Sequence, residues 1–173
     1  MGNKLQNLQK LYFINNNISG RIPVTFSNLS QITLLDLSVN YLEGEVPEEL
    51  GKLNLEILYL HSNNLVSNSS LSFLTALTNC SFLKKLHLGS CLFSGSLPAS
   101  IGNLSKDLYY FNLLSNRIRG KIPDSTGNLS GLVTYNCGTI TWTGQFQQLL
   151  ESWSCCKDYV WGETSRKVPL QMK

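Results

Sequence analysis

Charge is scarce in this 173-residue chain: Asp, Glu, Lys and Arg make up 14% of it, and the net charge is +3. The basic residues are scattered and form no stripe interleaved with aromatics, which excludes a nucleic-acid surface. Histidine is scarcer still, with 2 in the chain. Neither His61 nor His87 has cysteines or paired carboxylates around it at ligand spacing, so no metal site and no cofactor is expected, and both are read as exposed surface histidines. Long hydrophobic runs are also missing. Nothing approaches the roughly 20 apolar residues of a membrane span. The opening MGNKLQNLQKLYF lacks the continuous apolar core of a signal peptide and the Ser/Thr of a myristoylation site. The expectation is a chain without an address of its own and without membrane contact.

What the chain does have is leucine, asparagine and serine in a fixed order. The stretch from Leu29 to Leu53 reads LSQITLLDLSVNYLEGEVPEELGKL. Shifted back by about 24 residues it matches itself, a period in the range of stacked repeats. Leu11 falls on Leu35, Phe13 on Leu37, Asn16 on Asn40, Gly20 on Gly44, Pro23 on Pro47 and Leu29 on Leu53. Each fixed position has a physical role in a stacked coil. Leu35 and Leu37 alternate with Asp36 and Ser38, the period-2 mark of a strand with one face buried. Asn40 follows where the chain turns, and a buried amide there can satisfy backbone groups that the turn leaves unpaired. Gly44 permits a tight bend with positive φ, Pro47 ends strand pairing, and Glu48 to Leu53 closes the coil as a short helix or 3₁₀ piece.

The pattern predicts an α/β repeat solenoid: one parallel strand per coil in a curved sheet on the concave face, with short helical or 3₁₀ turns on the convex face. The strands are placed at Leu11 to Phe13, Leu35 to Leu37, Leu58 to Leu60, Leu86 to Leu88 and Phe111 to Leu113. A buried asparagine ladder is expected at Asn16, Asn40, Asn63 and Asn116. The third coil departs from the pattern after Asn63. There VSNSSLSFLTALTNCSFL carries Leu71, Phe73, Leu74 and Leu77 at helical spacing, and a helical turn is expected. In the fourth coil Cys91 stands where the ladder Asn belongs. Cys80 and Cys91 are read as separate buried thiols rather than a bridge.

Residues 1–133 are taken as the solenoid, about five coils, and residues 134–173 as a non-repeat tail. Tyr135 onward has no LxLxxN and no GxIP, while Trp142, Trp153, Trp161, Cys137, Cys155 and Cys156 all lie there. A slipped reading frame would account for the change, with a purpose-built C-terminal segment as the alternative. Restoring each codon from the first two bases of the printed residues permits a complete further coil over Tyr135 to Trp153. The tail is therefore expected to be an out-of-frame translation and poorly ordered, apart from a short helix near Phe146 to Glu151.

The GxIP element at Gly20 to Pro23, Gly44 to Pro47, Gly95 to Pro98 and Gly120 to Pro123 resembles that of plant-type leucine-rich repeats. The block from Phe73 to Ser105 is similar to the ectodomain of the receptor-like kinase subfamily that contains the flagellin and elongation-factor-Tu receptors. The resemblance implies a parent with an extracellular solenoid at the plasma membrane, one transmembrane helix, a cytoplasmic Ser/Thr kinase and a role in defence signalling. This chain carries only a piece of the solenoid, without a Gly-rich loop, HRD or DFG, so it is not expected to be an enzyme. The implied partners are a peptide or protein ligand and a co-receptor ectodomain. Two alternatives are a secreted polygalacturonase-inhibitor-like protein, which shares GxIP repeats, and a truncated gene product with no independent function.

Between the inward leucines, the strands present columns to the concave face. Tyr12, Asp36, Tyr59, His87 and Asn112 form one column, and Ile14, Ser38, His61, Gly89 and Leu114 the next. The first column together with His61 is the candidate ligand strip, because aromatics with polar tips suit interfaces. Glu43, Glu45, Glu48 and Glu49 are read as a solvated acidic turn. Asn-x-Ser sequons at Asn17, Asn28, Asn68, Asn79, Asn103 and Asn128 are candidate glycosylation sites in an exported solenoid, with Asn79 suspected of being too buried.

Overall fold

A computed structural model describes Leu5 and residues 7–137. In chain order the strands are β1 (Lys10–Tyr12), β2 (Ser19–Arg21), β3 (Leu34–Asp36), β4 (Tyr41–Glu45), β5 (Ile57–Tyr59), β6 (Asn64–Val66), β7 (Lys85–His87), β8 (Ser94–Gly95), β9 (Tyr110–Asn112), β10 (Arg117–Ile118) and β11 (Thr134–Asn136). The main sheet runs β1-β3-β5-β7-β9-β11, parallel throughout. Each hydrogen-bonded stretch begins one residue before the expected position. Its central residue is the inward one, and Leu11, Leu35, Leu58, Leu86 and Phe111 stand in register.

One strand per coil was an underestimate. After the turn the backbone extends again, and β2-β4-β6 and β8-β10 form further parallel sheets. The cause is stacking itself. Coils about 4.8 Å apart bring any extended segment within hydrogen-bond reach of the segment below.

The convex side is built from 3₁₀ helices at Val24–Asn28, Glu48–Lys52, Ala99–Asn103 and Asp124–Asn128, each starting directly after a proline of the GxIP element. In the third coil, α1 (Ser72–Ala76) and a 3₁₀ turn at Leu77–Asn79 take that place. Leu71, Phe73, Leu74 and Leu77 are all buried, as helical spacing requires, and the Phe73 ring packs 5.1 Å from that of Phe93. Successive helices approach closely enough to need glycine. A Cβ on Gly51 would lie 2.2 Å from the Ala76 carbonyl oxygen, and one on Gly102 would lie 2.1 Å from that of Ser125.

Leucines from every coil fill the space between the concave and convex layers. Leu35, Leu58, Leu86, Leu55, Leu83 and Leu108 are fully buried. Thr126 occupies the 3₁₀ position filled elsewhere by Phe26, Leu50 and Ile101, and its buried hydroxyl has no hydrogen-bond partner.

The boundary after residue 133 also moves. β11 extends the main sheet through Asn136, with Tyr135 paired to Phe111 and buried in the leucine position. The two rings stack at 5.4 Å, so aromatic side chains take the leucine position in two successive coils. Residues 138–173, which include Trp142, Trp153, Trp161, Cys155, Cys156 and the expected helix near Phe146, lie outside the described residues.

Candidate ligand-binding face

The sheet's outer surface is shaped by the turn that ends each strand. The residue before each ladder position is left-handed: Asn15, Val39, Ser62, Ser90 and Ser115 have φ between 53° and 57°. The sequence reading placed positive φ at Gly44 and did not anticipate it here. A β-branched residue such as Val39 adopts this conformation only when neighbouring interactions hold it.

At three of the five turns an Asn side chain also ties the turn to the coil before it. Asn40 donates through Nδ2 to the carbonyls of Phe13 at 2.8 Å, Leu37 at 3.1 Å and Ser38 at 3.0 Å, and its Oδ1 accepts from Ile18 N–H at 3.0 Å. Asn63 repeats this with Leu37, Leu60 and His61 carbonyls and Leu42 N–H. Asn116, half-buried, binds Leu88, Leu113 and Leu114 carbonyls and Phe93 N–H.

Asn16 departs from expectation. It is exposed and its side-chain amide bonds only carbonyls of its own coil, Phe13 and Ile14, because among the described residues no coil stacks on its outer side. Cys91 occupies the ladder site, and its Sγ reaches the Leu60 carbonyl at 3.4 Å. Burial pushes its thiol up to about 11, with backbone N–H groups of Asn63, Leu65 and Ser62 pulling the other way. Cys80 is also free and buried, its Sγ on the Leu53 carbonyl at 3.2 Å.

On the concave face Tyr12, Asp36, Tyr59, His87 and Asn112 form one continuous column, extended by Asn136. Its members are not uniformly solvated. Asp36 and Asn112 are buried, because each folds back on its own strand end: Asp36 Oδ1 accepts from Ser38 N–H at 3.0 Å, and Asn112 Oδ1 from Leu114 N–H at 2.9 Å. Tyr12, on the first coil, is exposed.

The two histidines were expected to be separate and exposed. They are half-buried, with ring centroids 4.0 Å apart, since neighbouring columns on adjacent strands place them on a diagonal. Tyr59 meets His87 edge-on at 6.0 Å and Tyr110 does so at 5.6 Å, so His87 is surrounded by rings. Burial lowers the His87 pKa to about 4, with His61 adding to the effect and Asp36 opposing it. The His61 pKa is lowered by burial and raised in part by Asp36. Lys85 lies 5.5 Å over the Tyr109 ring, and hydrogen bonding to Tyr109 raises its pKa. Tyr110 and Lys85 were absent from the candidate strip. The column of Leu34, Ile57, Lys85 and Tyr110, one residue-pair along each strand, could have been enumerated from the same period.

Of the sequons, Asn28, Asn103 and Asn128 each end a 3₁₀ helix and are exposed, and Asn79, suspected of burial, is exposed in the same place. Asn17 is exposed too. Asn68 is engaged: its Oδ1 accepts from Ser72 N–H at 3.1 Å and its Nδ2 donates to Ser72 Oγ at 2.6 Å, tying down the start of α1. No group of His, Cys, Asp and Glu suited to a metal ion occurs among the described residues, and no helix there is long and apolar enough to cross a membrane.

A parallel main sheet with one strand from each coil, a second set of short parallel strands, an Asn ladder and proline-started 3₁₀ turns define a leucine-rich-repeat solenoid of the plant type. The Leucine Rich Repeat family model matches residues 7–29, 31–53 and 82–104. The relatives of the chain are plant receptor-like proteins and receptor-like kinases. It is 38% identical to Receptor-like protein 41 of Arabidopsis thaliana over 133 residues, covering 74% of this chain and 14% of the relative. To the LRR receptor-like serine/threonine-protein kinase EFR of the same plant it is 44% identical over 81 residues, covering 46% of this chain and 8% of the relative. Among solved structures, the Arabidopsis receptor kinase HAESA in complex with the peptide hormone IDA and the co-receptor SERK1 superposes with a TM-score of 0.71 at 25% identity, over 79% of this chain and 22% of that one. The chain thus spans a small part of the length of the relatives it matches.

Proposed function

We propose that this chain is a non-catalytic recognition module that binds a peptide or protein along its concave face, as part of the extracellular ectodomain of a plant receptor-like kinase or receptor-like protein. The observation that carries this reading is the ring cluster of Tyr59, His61, His87 and Tyr110 on contiguous coils. None of these side chains is needed to fill the core, and together they present a neutral aromatic surface with one cation, Lys85, at its border. A co-receptor ectodomain is a second partner of the assembled receptor in this reading, which the HAESA complex with a peptide and SERK1 supports by analogy. The parent would sit at the plasma membrane with these coils outside and serve defence signalling. The exposed sequons at Asn28, Asn79, Asn103 and Asn128 would place glycans at the ends of the convex helices, away from the concave strip.

Panning the full chain against a displayed random-peptide library tests the assignment. Enriched peptides should lose binding at least tenfold, about 1.4 kcal/mol, on Tyr59→Ala or His87→Ala and keep it on Glu48→Lys. Absence of enrichment, or equal binding by all variants, would overturn it.

A further inference from the structure

Beyond the concave strip, the lateral face formed by β2-β4-β6 and β8-β10 carries a charge pattern that neither the fold nor the ligand site uses. In each coil, alternate residues after the ladder position point outward while the intervening Leu42, Leu65, Phe93 and Ile118 are buried. In the second coil the outward residues are Tyr41, Glu43 and Glu45, all exposed. In the fifth coil the residues at the same spacing from the ladder position are Arg117, Arg119 and Lys121, also exposed. Because the pairing is slanted, with Glu43 opposite Asn64 and Arg117 opposite Ser94, they lie further along the face than the acidic group. The two coils between them carry no charge there, and they place Val66 and Leu92 near the midpoint. Arg21 of the first coil lies against Gly44 and offsets part of the acidic end.

These opposite charges do not meet within the chain. Coils stack about 4.8 Å apart, so three coils separate the two ends by more than ion-pair reach. Among the described residues the ion pair is Lys84 with Glu56, and Glu43, Glu45, Arg117, Arg119 and Lys121 take no part in one. Tyr41 is 59% exposed, a large aromatic in open solvent at the acidic end.

We infer that this lateral face binds a second copy of the chain, antiparallel about a two-fold axis through the third and fourth coils. A two-fold interface is self-complementary: whatever lies on one side of the axis meets its counterpart from the other side. Here the acidic second coil of each copy faces the basic fifth coil of the other. The exposed Tyr41 ring lies at the acidic end, where a cation of the partner's basic coil can pair with it through the ring quadrupole. Val66 and Leu92 lie at the axis, giving an apolar centre between charged rims. The concave face stays open in this arrangement.

Sedimentation velocity of the full chain from about 1 to about 100 μM, the range where a modest interface becomes populated, tests this. A concentration-dependent dimer is expected, weakened by added salt. The double variants Glu43→Lys with Glu45→Lys, and Arg117→Glu with Arg119→Glu, should each weaken self-association tenfold or more. Their equimolar mixture should restore dimer, because each altered end then faces an opposite charge on the other variant. All substituted residues are exposed, and matching thermal midpoints would confirm that both variants fold. A monomer at all concentrations, association indifferent to both double variants, or a mixture that fails to restore dimer would each overturn the inference. The peptide-binding variants Tyr59→Ala and His87→Ala leave this face untouched, so the two readings fail separately.

Discussion

The third and fourth coils run the same backbone path with unequal means. In the third, Asn63 fastens its coil to the one before with an amide that donates to three carbonyls and accepts from Leu42 N–H. In the fourth, Cys91 offers one weak S–H donor to the Leu60 carbonyl. The left-handed residue is nonetheless present in both, Ser62 at φ 56° and Ser90 at φ 53°. The turn therefore does not depend on the local amide. Leucine layers on either side hold the path, and the ladder determines how firmly each coil is fixed.

The largest effect expected from that contrast is Asn63→Ala. It orphans carbonyls and an N–H in a buried turn, and should destabilise the solenoid by about 3 kcal/mol, read as a shift in the urea midpoint. An effect no larger than that of Asn16→Ala, at the exposed end, would show that the ladder is dispensable.

A gain should follow from repairing the next coil. Thr126→Ile removes an unpartnered buried hydroxyl and supplies the apolar side chain that Ile101 provides one coil earlier, worth about 2 kcal/mol of stabilisation. Cys91→Asn restores the amide at the ladder site and should add about 1 kcal/mol. An unchanged or lower thermal midpoint would mean that the thiol packs better than an amide there.

A further effect is in pH. The folded His87 pKa is about 4 against 6.5 for a free histidine, so the unfolded chain takes up a proton first as the solution acidifies. The contribution of His87 is complete above pH 6.5 and declines as pH falls toward 4. His61, shifted in the same direction, adds to the trend. Urea midpoints at pH 7 and pH 5 should show a smaller drop for His87→Gln than for the wild type, and equal drops would place the dependence elsewhere.

The period of Leu, Asn, Gly and Pro was enough to order the coils, the parallel pairing and the inward leucines, because a stacked repeat contacts only its neighbours and its register is local. The columns of the concave face follow from the same arithmetic, which is why Tyr59, His87 and Asn112 could be aligned from residue spacing alone. Burial of side chains on that face could not. Asp36 and Asn112 are hidden because they fold onto the N–H two residues ahead, and His61 meets His87 because of a diagonal between columns. Both are contacts across or along strands that a one-column reading does not see. The second strands, the exposure of Asn16 and the acceptance of Tyr135 at a leucine position were decided by tertiary structure for one physical reason: each depends on what lies on the adjoining coil, and the repeat pattern specifies a coil without its neighbours.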